Sequence, residues 1–402
     1  MRTASSAHRV LAATTVVLTA AVTGACTSRT SDSTLPPPPS ATVVASPTAV
    51  EPTPSAAPDR DCAGRALADM SLEERAGQAL MIGTPVASPK RLADEVRELH
   101  LGGVFLAGRS TRTATALRAD ILALTRAGDP APLVALDQEG GSVQTLKGPD
   151  FPLLPSAQRL GAGSKDKLRD SVRDSARDLA AIGITINLAP VADTVPADVG
   201  LANPPIGAFR RQYGSEPAEV AAAIRTVVPA SQEAGVLTVL KHFPGLGRVR
   251  ANTDVQADVI DGEADADDPY LEPFRAGIEA GSAAVMMSSA RYPQLDRTTI
   301  AAYSEPVVTG LLREKLGFTG LIMSDDLGAA DAAAIVPVGE RAVRFVAAGG
   351  DLALTIRPED ARPMARALVA EARADAGFDA RLTDAATHVL RAKERAGLLR
   401  CG

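Results

Sequence analysis

Eight short apolar runs, about 20 to 50 residues apart, constrain the fold of this chain more than any other feature. They are ALMIG (79–83), GGVFLA (102–107), PLVALD (132–137), ITINLAP (184–190), VLTVLKH (236–242), AAVMMS (283–288), GLIMSDD (320–326) and DLALTI (351–356). Between them lie amphipathic stretches such as RLADEVRELH, TATALRADILALTRAG, KLRDSVRDSARDLAAIG, PAEVAAAIRTVVPASQEAG and SEPVVTGLLREKLG, several closing on glycine as helices do. This alternation predicts parallel strands joined by crossover helices. Eight such units close a (β/α)8 TIM barrel, the α/β fold expected here, although an open doubly wound sheet uses the same alternation. Barrel enzymes place their catalytic groups at the C-terminal ends of strands, and polar residues cluster there: Asp137, Lys241 with His242, and Asp325. Any one of these also has a structural reading, as a turn or helix cap.

The alternation begins only after residue 61. Residues 1–25 carry Arg2 and Arg9 and then an apolar run from Val10, shorter than the ~20 residues a spanning helix needs, and read as an export signal. Gly24 and Ala25 before Cys26 resemble a bacterial lipobox, in which the cysteine becomes the lipid-bearing first residue. Thr23 departs from the usual leucine-like residue, and release as a plain secreted protein is the alternative. Residues 26–61, rich in Pro, Ser and Thr, cannot build a core and are expected to form an extended tether on the outer face of the membrane.

Folded structure is expected over 62–402, with a capping box at Ser71 and Glu74 and, after about Arg357, helices that finish the barrel. With Cys26 taken by lipid, Cys62 and Cys401 remain as an even pair in an oxidising compartment, which predicts a disulfide joining the two ends; two free thiols are the alternative. A formal charge of -6 gives no electrostatic reason to expect a nucleic-acid partner. A monomer is expected, touching the membrane through its N-terminal lipid. The acidic run ADVIDGEADADD (257–268) lacks calcium-loop spacing and no Cys/His cluster suits zinc, so it is read as a solvated loop, with no metal and no cofactor expected.

Five motifs in order, LDQEGGSVQ (136–144), FPLLPSAQRLGA (151–162), INLAPVAD (186–193), KHFPGLG (241–247) and GFTGLIMSDDLG (317–328), resemble glycoside hydrolase family 3 in its single-domain bacterial β-N-acetylglucosaminidase branch. The resemblance implies a TIM barrel, a carbohydrate partner bearing β-linked N-acetylglucosamine-type sugars, peptidoglycan fragments as its source, and a retaining mechanism. It also implies Asp325 as nucleophile, with Asp326 capping a helix that starts LGAADAAA, and Asp137, Arg211, Lys241 and His242 as sugar-binding residues. Arg210 competes for the place of Arg211, because the match needs a two-residue insertion; His242 also has a reading as a satisfied core histidine.

The proton donor is where the chain departs from the branch, whose members continue KHFPGHG with four variable residues and then DSH, the last histidine serving as acid/base. Here the corresponding residues are Asn252, Thr253 and Asp254, and of His100, His242 and His388 only His242 stands near this loop. Thr145, Ser289 and Leu246 replace further basic groups of the family. Two readings follow. Either Asp254 is the catalytic acid, its pKa raised in a dry site beside another carboxylate, or the barrel is catalytically degenerate and serves as a cell-wall glycan-binding or structural lipoprotein.

Overall fold

The structure is a computed structural model and describes residues 61–399. The export segment, Cys26, the tether and Cys401 lie outside the described residues, and with them the lipid attachment and the Cys62–Cys401 pairing. The strands are β1 (Leu80–Pro85), β2 (Gly103–Ala107), β3 (Leu133–Leu136), β4 (Gln138–Gly140), β5 (Val143–Gln144), β6 (Ile186–Asn187), β7 (Leu237–Phe243), β8 (Ala284–Met287), β9 (Leu321–Asp326) and β10 (Leu352–Thr355). Eight of them close a parallel barrel in the order β1-β10-β9-β8-β7-β6-β3-β2, while β4 and β5 form a small antiparallel hairpin above it. Each of the eight apolar runs is one barrel strand, and Ile82 of β1 faces both Thr355 and Val104 where the ring closes.

The strand period of two divides the apolar side chains into two layers. Leu80 and Ile82 point outward and pack with the crossover helices, whereas Met81 points inward with Phe105, Ala135, Val239, Met286 and Met323. The interior is therefore a packed core rather than a pore. Its N-terminal end is plugged by the helix Ala376–Arg395, whose Val389 and Ala392 join the inner layer. At the start of the domain the Ser71 side chain accepts from Glu74 N while Glu74 returns to the Ser71 backbone, the expected capping box.

Three local expectations are corrected. The regular strand within the run 184–190 is short, Ile186–Asn187, although Thr185, Leu188 and Ala189 beside it still bond to the neighbouring strands. LGAADAAA does not form a helix: residues from Leu327 make successive turns, and the next helix starts at Val338. Asp326 caps the first turn, accepting from Gly328 N and Ala329 N, while Asp331 N and Ala332 N donate to the carbonyls of Asp254 and Thr253 instead of to a helical ladder. The acidic run 257–268 is only partly solvated, since Asp261 and Asp268 are buried and both bind Arg248.

Candidate active site

Loops leaving the C-terminal ends of the strands enclose a cavity of about 460 Å³. All six residues read from the sequence line it: Asp137, Arg211, Lys241, His242, Asp254 and Asp325. Arg210 takes the left-handed conformation (φ 57°), is exposed and is not among the residues lining the cavity, whereas Arg211 is.

β3 and β7 build the floor. Lys241, at the end of β7 and almost wholly buried, donates from Nζ to Asp137 Oδ1 at 2.7 Å and lies 2.6 Å from Glu139 Oε1. Arg211 grips the same Glu139 with two bonds, Nε to Oε2 and Nη2 to Oε1, each 2.8 Å, and spends Nη1 on Pro205 O at 2.9 Å. Burial alone would raise the Glu139 pKa, but the charges of Arg211 and Lys241 hold it down at about 2. Burial likewise pushes Lys241 and Arg211 toward neutrality, and the facing carboxylates more than reverse it, raising both. Two cations and two carboxylates thus form a charge-balanced cluster whose geometry is fixed before any ligand arrives.

Glu139 escaped the sequence reading. It does not follow the strand directly, and its partners come from residues 72 and 102 positions downstream, contacts that only the folded barrel makes. Its signal was the motif itself, two residues after Asp137 in LDQEGG.

His242 is held from behind. Its Nδ1 lies 2.8 Å from Asp193 Oδ2, its backbone N–H donates to the same carboxylate, and Leu246 N adds a third bond at 2.7 Å. With Nδ1 engaged, Nε2 is the ring nitrogen left for the cavity. Gly247 lets this loop fold back on the one after β6, where an added Cβ would stand 1.7 Å from Thr194 O. Leu246 lines the cavity; Thr145 and Ser289 are buried outside it.

The remaining two of the six, Asp325 and Asp254, line the same cavity. Asp325 is the penultimate residue of β9, and its Oδ1 accepts from Asp326 N at 2.9 Å. Asp254 follows the turn after β7, with its N–H donating to Asn252 Oδ1 at 3.1 Å. Alone of the six, Asp254 is exposed. Even so, desolvation there, and then the negative charge of Asp325, raise its pKa above the ordinary aspartate value, against smaller lowering effects from Asn252, His242 and Arg211. A carboxyl that holds its proton more tightly than an ordinary aspartate lines the same cavity as Asp325, the kind of asymmetry that separates an acid from a nucleophile.

Among the described residues, one group of side chains could hold a metal: Asp351, Asp384 and His388. It lies at the opposite, N-terminal end of the barrel, and Asp351 there is already bound by Arg313 and Arg381.

Fold and cavity together define a TIM barrel with a carboxylate-lined site at its C-terminal face. Residues 71–392 match the glycosyl hydrolase family 3 N terminal domain, and the chain belongs to that family. A beta-hexosaminidase of Xanthomonas axonopodis pv. citri (strain 306) is 35% identical over 292 residues, covering 69% of this chain and 82% of the relative. Among solved structures, a beta-N-acetylhexosaminidase from Beutenbergia cavernae DSM 12333 is 43% identical with a TM-score of 0.79, covering 81% of this chain and 99% of that one. A family 3 beta-N-acetylglucosaminidase from Paenibacillus sp. str. FPU-7 is 29% identical with a TM-score of 0.75, over 82% of this chain and 63% of the other.

Proposed function

We propose that this protein is a glycoside hydrolase that removes terminal β-linked N-acetylglucosamine-type sugars by a retaining mechanism. The names of its relatives support the sugar. The chemistry rests on one observation: Asp254 and Asp325 face the same cavity, close enough for the charge of one to raise the pKa of the other. In the first step an Asp325 oxygen bonds to the anomeric carbon as the bond to the leaving oxygen breaks, and Asp254 gives that oxygen its proton. In the second, water attacks the same carbon, loses its proton to Asp254 and expels Asp325. The balanced cluster of Asp137, Glu139, Arg211 and Lys241, with His242, presents the directional donors and acceptors that neutral hydroxyls need.

The substrates proposed are peptidoglycan fragments, met at the outer face of the cell membrane by an exported lipoprotein anchored at Cys26, acting as a monomer with Cys62 and Cys401 joined. Assay of the mature protein on a chromogenic β-N-acetylglucosaminide and a β-glucoside tests the central point. Turnover is expected with the first and is lost in Asp325→Asn. Binding of glycan without turnover in the unmodified protein would contradict it and favour the degenerate, glycan-holding barrel.

A further inference from the structure

The cavity distributes its charge unevenly from floor to mouth. On the floor, Lys241 and Arg211 are spent on Asp137 and Glu139. Asp254 and Asp325 make the walls acidic, and Asp326 is committed to the backbone N–H groups of Gly328, Ala329 and Ile356. One cation lining the cavity is left without a carboxylate among the described residues: Arg109, exposed, just past the end of β2. Its guanidinium is aimed rather than free, with Nη1 donating to Gly108 O at 2.9 Å and Nη2 to Ser142 O at 3.3 Å. The remaining N–H groups of the fork have no acceptor among the described residues, and a planar fork of this kind suits a carboxylate.

From this inventory we propose that Arg109 determines specificity on the leaving-group side, binding a carboxylate carried by the sugar next to the scissile bond. The neutral, charge-balanced floor suits an uncharged terminal sugar. The acidic walls repel an anion from that floor, so a substrate with one neutral and one acidic sugar is oriented with its acidic ring outward, against Arg109. This orientation rests on the hydrolase reading above, in which the terminal sugar occupies the floor.

Calorimetry on the Asp325→Asn protein, which holds substrate without consuming it, provides the test. The probes are N-acetylglucosaminyl-β-1,4-N-acetylmuramic acid and neutral di-N-acetylchitobiose. At low salt the acidic disaccharide should bind about fivefold more tightly, the upper range for an exposed ion pair. Added salt should shrink that preference, Arg109→Met should abolish it, and Arg109→Lys should restore part of it. The ratio of KM values in the unmodified enzyme gives a second reading of the same preference. Equal affinities, a preference that survives Arg109→Met, or binding of neither probe overturns the proposal. An Arg109-dependent preference without any hydrolysis by the unmodified protein would leave it standing while removing the hydrolase reading. Hydrolysis without preference would do the reverse.

Discussion

Glu139 shows at the residue scale why a buried carboxylate can matter more than the residues that touch sugar. Both cations of the floor are oriented by it, and replacing it leaves them close together with one anion fewer to hold them. Glu139→Gln should destabilise the domain by about 3 kcal/mol, the lower range for breaking a buried ion pair, and raise KM more than it lowers kcat. Because the native pKa of about 2 lies below the ordinary 4.5, the stability Glu139 contributes is complete above pH 4.5 and is lost as pH falls toward 2. Urea melts at pH 6 and pH 3 should therefore differ less in Glu139→Gln than in the unmodified protein. Asp137, Lys241, His242 and Asp325 were legible because they sit at strand ends, where period and motif coincide. Glu139 and Asp193 were not, since each acts through partners far away in the chain.

The loop after β7 is the element on which the chemistry turns, and its shape comes from Gly247, the last residue of KHFPGLG, and from Arg248 just beyond that motif. Gly247 permits the close approach to Thr194, while Arg248 stacks over Tyr270, 4.3 Å from the ring centroid, and binds Asp261 and Asp268. Arg248→Ala strands two buried carboxylates and should cost about 3 kcal/mol; limited proteolysis between residues 248 and 268 should then proceed faster. The loop was legible as a strand-to-helix connection but not as a folded unit. An acidic run looks solvated in one dimension, and its cation lies 13 and 20 residues upstream. In the same way LGAADAAA has helical composition, yet its backbone donors are drawn to the carbonyls of Thr253 and Asp254, so tertiary pairing overrides propensity. This pairing ties the β9 segment to the loop that carries the proposed acid.

At the scale of the whole molecule, eight strands were legible because each is a continuous apolar run, and the crossover helices followed from their spacing. Helices finishing the barrel after about Arg357 were legible too, but not that the last one plugs it, with Lys393 fully buried and donating to Gln78 Oε1 at 2.6 Å. Burial lowers its pKa from 10.5 to about 7, opposed by Asp129. The unfolded chain thus binds this proton more tightly than the native one, so the contribution of Lys393 to stability rises between pH 7 and pH 10.5 and is least favourable below 7. Lys393→Met should stabilise the domain at neutral and lower pH, by about 1–3 kcal/mol, and thermal melts against pH should lose that rise.

The most direct measurement of the central claim is kcat/KM for a β-N-acetylglucosaminyl disaccharide across roughly pH 4 to 8 in the unmodified protein and in Asp254→Asn. The unmodified enzyme should lose activity on the alkaline side, as a carboxyl held above the ordinary aspartate value gives up its proton. Asp254→Asn should lack that limb and run about 10²-fold slower or less. Equal rates and the same profile in both proteins would show that Asp254 is not the acid.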